Sequence, residues 1–134
     1  MPKLENVEGI GDVYGAKLRE AGIRSIASLL DKGSTPQGRQ EIAEKSGISG
    51  KRILTWINHA DLKRIKGVER QYSELLEAAG VDTVMELAQR NPENLLQKML
   101  ETNEEKRLVR RPPSHSMVQK WIEQAKQLPR VIHY

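Results

Sequence analysis

Residues 9–33 align with residues 67–91 at a constant offset of 58 and without a gap. Gly9, Tyr14, Leu18, Ala21, Gly22 and Leu29 fall on Gly67, Tyr72, Leu76, Ala79, Gly80 and Leu87. Ile10, Ile23 and Ile26 meet Val68, Val81 and Val84. Further along, the offset becomes 65: Ser49, Ile53, Trp56, Ile57 and Ala60 fall on Ser114, Val118, Trp121, Ile122 and Ala125. A seven-residue insertion is therefore expected in the second copy, near residues 102–113. Self-similarity at this period marks a duplicated supersecondary unit. It divides the chain into a first repeat over residues 1–62 and a second over 63–134.

What each repeat can be made of is narrow. The chain has no Phe, two Trp and three Tyr, so its core must come from Ile, Leu, Val and Ala. No segment of useful length alternates apolar and polar residues with period two, whereas helical spacing and helix punctuation recur. Each repeat reads as four short helices. Gly22 and Gly80 stop the first helix of each. Thr35-Pro36 and Asn91-Pro92 form an N-cap followed by proline at the first helical position. Ser49 caps the last helix of the first repeat, and Ser114 or Ser116 that of the second. Pro112-Pro113 blocks a helix across the insertion. The expected fold is all-α, two tandem repeats packed into one compact body with no sheet.

Charge is unevenly placed along the chain. The net charge is +4, yet residues 1–50 are neutral, 51–70 carry +4, 71–100 carry −3 and 101–134 carry +3. The basic islands hold Lys51, Arg52, Lys63, Arg64 and Lys66, then Arg107, Arg110 and Arg111. Such islands suit contact with phosphates, and they equally suit a solvated helix face. With no cysteine, a disulfide framework, a thiolate metal site and a thiol nucleophile are excluded, and a reducing cytoplasm is the expected setting. No apolar run approaches the roughly 18 residues that a membrane span needs, so no membrane partner is expected.

The most specific local signal is Gly9-Ile10-Gly11 ahead of Asp12-Val13-Tyr14, with Ala16, Leu18 and Ala21-Gly22-Ile23 behind it. Two glycines permit a tight turn into a helix. Ile10 can plug that turn into the core, while backbone amides at the helix start face outward as an anion nest. The same glycines would also serve a plain helix–helix turn. This stretch resembles the helix-hairpin-helix family of DNA repair, recombination and ligase proteins. The fuller pattern is Gly9-Ile10-Gly11, Gly47-Ile48-Ser49, Trp56-Ile57-Asn58-His59-Ala60-Asp61-Leu62, Ala79-Gly80-Val81-Asp82-Thr83-Val84 and Asn91-Pro92. It resembles a bacterial family of unknown function with duplicated helix-hairpin-helix modules. The resemblance implies a grip on the DNA backbone through hairpin amides, without sequence preference.

Four hairpins of unequal quality follow. Gly9-Ile10-Gly11 fits best, with Lys17 and Arg19 as flanks. Gly47-Ile48-Ser49-Gly50 is looser, but Lys51 and Arg52 come directly after it, at a helix start where cations oppose the macrodipole. Gly67-Val68-Glu69 replaces the second glycine by a carboxylate, and Ser114-His115-Ser116 has no glycine. Hairpins one and two are therefore expected to bind and the third to be structural.

Trp56, Trp121, Tyr14 and Tyr72 are read as packing residues. His59, His115 and His133 lack ligand spacing, so no metal and no cofactor is expected. No P-loop, nucleophile elbow or His-Glu metal helix is present, and the chain has no room for a glycosylase base pocket; no catalytic residue is assigned. The expected function is that of a non-enzymatic accessory protein binding double-stranded DNA. Its phosphate contacts would come from Gly9, Ile10, Gly11, Lys17 and Arg19, then Gly47, Gly50, Lys51 and Arg52. Lys63, Arg64 and Lys66 would add attraction, and Arg107, Arg110 and Arg111 would extend the track. The alternative is a protein-interaction or dimerisation module, in which the acidic stretch 72–100 docks on the basic island of a partner or second copy.

Overall fold

The computed structural model describes residues 3–134; residues 1 and 2, where the first repeat was taken to begin, lie outside that range. Among the described residues the fold is all-α, with no strand. A 3-10 turn at Leu4–Asn6 precedes α1 (Asp12–Glu20), α2 (Ile26–Lys32), α3 (Pro36–Ser46), α4 (Gly50–Leu62), α5 (Arg70–Ala78), α6 (Val84–Ala88), α7 (Pro92–Lys106) and α8 (His115–Gln127).

Local chemistry accounts for most of these boundaries. The side chains of Ser25, Thr35, Thr83, Asn91 and Ser114 accept hydrogen bonds from amides in the first turns of α2, α3, α6, α7 and α8. Ser49 does the same for α4 through the Arg52 N–H. Each cap satisfies one or two of the donors that a helix start leaves open. Ser114, rather than Ser116, caps α8.

One boundary differs from the sequence expectation. The insertion was placed at residues 102–113, but α7 continues through its first half to Lys106. Nothing in Thr102-Asn103-Glu104-Glu105-Lys106 breaks a helix, and Thr102 and Asn103 are buried. The helix ends only at Arg107, which adopts the left-handed conformation at φ 51°. The loop proper is thus 107–113.

The described residues form two compact units. The first runs up to Asp61 and includes Val131–Tyr134; the second is Leu62–Arg130. The last four residues, which the alignment left in the second repeat, therefore pack with the first unit. There Ile132 joins the core of Leu4, Val7, Ile10, Leu18, Leu29, Ile53, Trp56 and Ile57. The segment is held by polar contacts too. Arg39, buried, donates to the carbonyls of Gly33 and His133, both at 2.8 Å. The His133 N–H donates to the Ser34 carbonyl at 2.7 Å, and the Tyr134 hydroxyl contacts Asn58 Oδ1 at 2.9 Å. Burial pushes the Arg39 guanidinium below its usual pKa.

The second unit has its own core, built around Leu62, Ile65, Val68, Leu75, Leu76, Leu87, Leu95, Trp121 and Ile122.

Candidate nucleic-acid interface

The approach to α1 is built from two short turns. The Val7 N–H donates to the Leu4 carbonyl at 3.0 Å, and the Ile10 N–H to the Val7 carbonyl at 3.1 Å. In the second unit, Ile65 donates to Leu62 at 3.0 Å and Val68 to Ile65 at 3.1 Å ahead of α5. Both turns bury the middle hairpin residue: Ile10 and Val68 are each 1% exposed. The leading glycine is required at both. Gly9 has φ 92° and Gly67 φ 95°, a region that costs any residue with a side chain. A Cβ would stand 3.0 Å from the Trp56 indole nitrogen at Gly9, and 3.1 Å from that of Trp121 at Gly67. Tyr14 packs on Trp56 with ring centres 5.2 Å apart, and Tyr72 on Trp121 at 5.3 Å. The tyrosines and tryptophans are thus packing residues that hold the hairpin glycines in place.

The second hairpin position is different. Gly11 is the N-cap of α1 at φ −90°, ψ −172°, an extended conformation open to any residue. A Cβ there would meet nothing within 4 Å. Neither backbone strain nor packing demands a glycine. What it does is leave the first-turn amides of α1 without a side-chain cap. Glu69 occupies the matching place before α5, with φ −96°, ψ −178°, and it does not cap either. Its side chain is 79% exposed and pairs with Lys63 at 3.5 Å. Of the eight helix starts, only those of α1 and α5 have no side-chain cap among the described residues. The positive end of a helix dipole without a side-chain cap is the kind of place where anions bind in proteins.

A family model described as "Domain of unknown function (DUF4332)" matches residues 8–128. The chain belongs to the DUF4332 family. No curated protein and no solved structure matches it. The matched span of this DUF4332 chain opens one residue before Gly9 and closes at the end of α8, so it takes in both uncapped helix starts.

The cations named from the sequence divide by what they touch. Arg52, at the start of α4, lies 4.9 Å over the Tyr14 ring and so reaches the first turn of α1; Lys17 is 6.0 Å from the same ring. Lys51 is exposed. Arg19 is committed elsewhere. Its guanidinium makes two 2.8 Å hydrogen bonds to the Glu5 carboxylate. Those bonds pull the Glu5 carboxyl down to a pKa of about 2 and raise that of Arg19. Arg19 is therefore a structural ion pair rather than a flank of the hairpin. Lys63 is engaged with Glu69, and the Lys66 backbone is held by Gln124.

Hairpin two is also more occupied than its sequence suggests. Gly47 is left-handed at φ 73°, and the Ser46 and Ser49 hydroxyls accept from the Ile48 and Arg52 amides at 3.2 and 3.3 Å. Hairpin four is capped by Ser114. At hairpin three, expected from the sequence to be structural, Glu69 does not cap α5. Arg70, Arg110 and Arg111 line one cleft beside the start of α5. The loop that carries Arg110 and Arg111 is anchored there by the Tyr72 hydroxyl, which donates to the Arg111 carbonyl at 3.0 Å. The sequence shows where Glu69 stands but not that Lys63 draws its carboxylate aside.

Among the described residues no group of three or more His, Asp or Glu is placed to hold a metal ion. No described helix is long and apolar enough to cross a membrane.

Proposed function

We propose that this chain is a non-enzymatic DNA-binding accessory protein. In this reading its two halves are tandem helix-hairpin-helix modules that grip backbone phosphates without reading sequence, in a reducing compartment such as the cytoplasm. The observation that carries it is the start of α1. A glycine that neither conformation nor packing requires leaves the α1 amides without a side-chain cap, in a chain where Ser, Thr or Asn caps six of the eight described helices. A phosphate diester seated there would accept from those amides, with Arg52, Lys51 and Lys17 supplying charge around it. The start of α5 offers a second contact.

Anisotropy of a labelled duplex, titrated with the full chain at rising salt, tests this. With about four phosphates engaged, counterion release predicts a roughly 100-fold loss of affinity between about 50 and 200 mM salt. The paired change Lys51→Glu and Arg52→Glu should abolish binding at the upper end. Absence of any binding at micromolar protein and low salt overturns the reading and leaves a protein-interaction module in its place.

A further inference from the structure

Residues 131–134 form a strap that packs with the first unit, although the chain enters it from Arg130 of the second. The strap is held as a short bound peptide would be. Ile132, 3% exposed, is its buried anchor. The His133 main chain is gripped on both sides. Its N–H donates to the Ser34 carbonyl at 2.7 Å, and its carbonyl accepts from the Arg39 guanidinium at 2.8 Å. That guanidinium also lies 5.8 Å from the Tyr134 ring, whose hydroxyl meets Asn58 Oδ1 at 2.9 Å. The receiving surface is fixed by contacts of its own. A Cβ at Gly33 would run into Ile57, and one at Gly38 into the Lys32 carbonyl. The corner between α2 and α3 that presents the Gly33 and Ser34 carbonyls is therefore close-packed, and Thr35 caps α3 across it.

We propose that this surface also docks the 131–134 segment of a second copy of the chain, so that two copies exchange straps. The inference stands apart from the nucleic-acid reading. The segment that fits is the chain's own: a buried isoleucine, a residue held through its backbone, and a tyrosine. The partners named above all lie in the first unit, whereas the strap is carried by the second. A strap arriving from another copy therefore makes the same contacts. The connector allows the exchange. Pro129 and Arg130 are exposed, and Pro129 has no N–H to tie it down. Its ring keeps Leu128 extended, at φ −86°, ψ 139°, so α8 cannot run on into the strap. Exchange of an identical element is a low-cost route to a dimer. A short tether holds each strap at an effective concentration on the order of millimolar. Each strap thus stays on its own copy in dilute solution and exchanges where copies are crowded to that level.

The chain has no cysteine, so introduced cysteines report on this contact directly. Full-length Ser34→Cys and His133→Cys variants, distinguished by mass, are incubated together near their melting midpoint at about 10 µM or about 1 mM, below and at the effective concentration of the tether. They are then cooled, diluted and treated with a short bismaleimide. A pair joining position 34 of one chain to position 133 of another should form at 1 mM, at least about tenfold more than at 10 µM. A synthetic peptide of residues 128–134 at several millimolar should suppress that pair by taking the same surface. The double variant Ser34→Cys, His133→Cys should cross-link within one chain at 10 µM, and its failure to do so overturns the docked geometry. Absence of the interchain pair at 1 mM, or a pair that the peptide leaves untouched, overturns the exchange. A dimer by mass that lacks the pair overturns it too, and assigns the contact to another surface such as the acidic stretch 72–100.

Discussion

Replacing Gly11 by aspartate should make this protein more stable and worse at binding DNA. The backbone at Gly11 already has the extended conformation that an N-cap takes, and a Cβ there meets nothing within 4 Å. An aspartate can therefore accept from the first-turn amides of α1 without moving anything. Aspartate caps better than glycine by a few tenths of a kcal/mol, and its charge at the positive helix end adds about 0.3–1 kcal/mol. The sum, about 0.5–1.3 kcal/mol, corresponds to a rise in melting temperature of about 2–10 °C for a unit of this size. Binding moves the other way, because the carboxylate occupies the amides that a phosphate would use. Each charge-assisted bond forgone is worth about 1.5–3 kcal/mol, so affinity should fall at least about tenfold. Gly11→Ser caps without charge and should fall between the two, while Gly11→Ala leaves the amides bare and should bind nearly as the parent does. Thermal melts and duplex anisotropy on the same samples give both numbers. An aspartate variant that binds duplex as tightly as the parent refutes the assignment of α1 as the phosphate seat. A melting temperature lowered by several degrees refutes the claim that the glycine is dispensable to the fold.

Other substitutions separate scaffold from site. Gly9→Ala forces a side chain into φ 92° against Trp56 and should cost about 2–3 kcal/mol, measured by denaturant titration. Arg19→Ala should lower stability near neutral pH yet leave duplex affinity unchanged, since its guanidinium is bound to Glu5. The Glu5 carboxyl titrates lower in the folded state, near 2, than in the unfolded chain, near 4.5. Its contribution is therefore complete above about pH 4.5 and is lost as the pH falls toward 2. Glu5→Gln should flatten that part of a melting-temperature profile. Removing Val131–Tyr134 exposes the Ile132 site and strips the buried Arg39 of one acceptor. A loss of about 3 kcal/mol or more should follow, read from Trp56 fluorescence in a Trp121→Phe background.

The helical class and most of the helix ends were legible in the sequence because they are local. Thr35-Pro36, Asn91-Pro92, Ser49 and Ser114 act on amides two or three residues away, and Gly22 and Gly80 turn the chain where they stand. Gly9 is legible for the same reason, since a positive φ is a property of one residue. The insertion was visible as a change of offset, but the extension of α7 to Lys106 depends on burying Thr102 and Asn103 against other elements.

The candidate site divides along the same line. That Gly11 precedes a helix could be read directly. What each cation does could not, because charges choose partners across folded distance. Arg19 and Glu5, fourteen residues apart, consume each other, and Lys63 takes the Glu69 carboxylate that sequence had set over the amides of α5. In the second hairpin the Ser49 cap was legible, but the Ser46 hydroxyl on the Ile48 amide was not. Arg110 and Arg111 come to the start of α5 because Asn103 and Tyr72 pin their loop there, 39 residues from Tyr72 along the chain. A helix start is specified by its own neighbours. Whether it stays bare is decided by which distant side chains the packing brings to it.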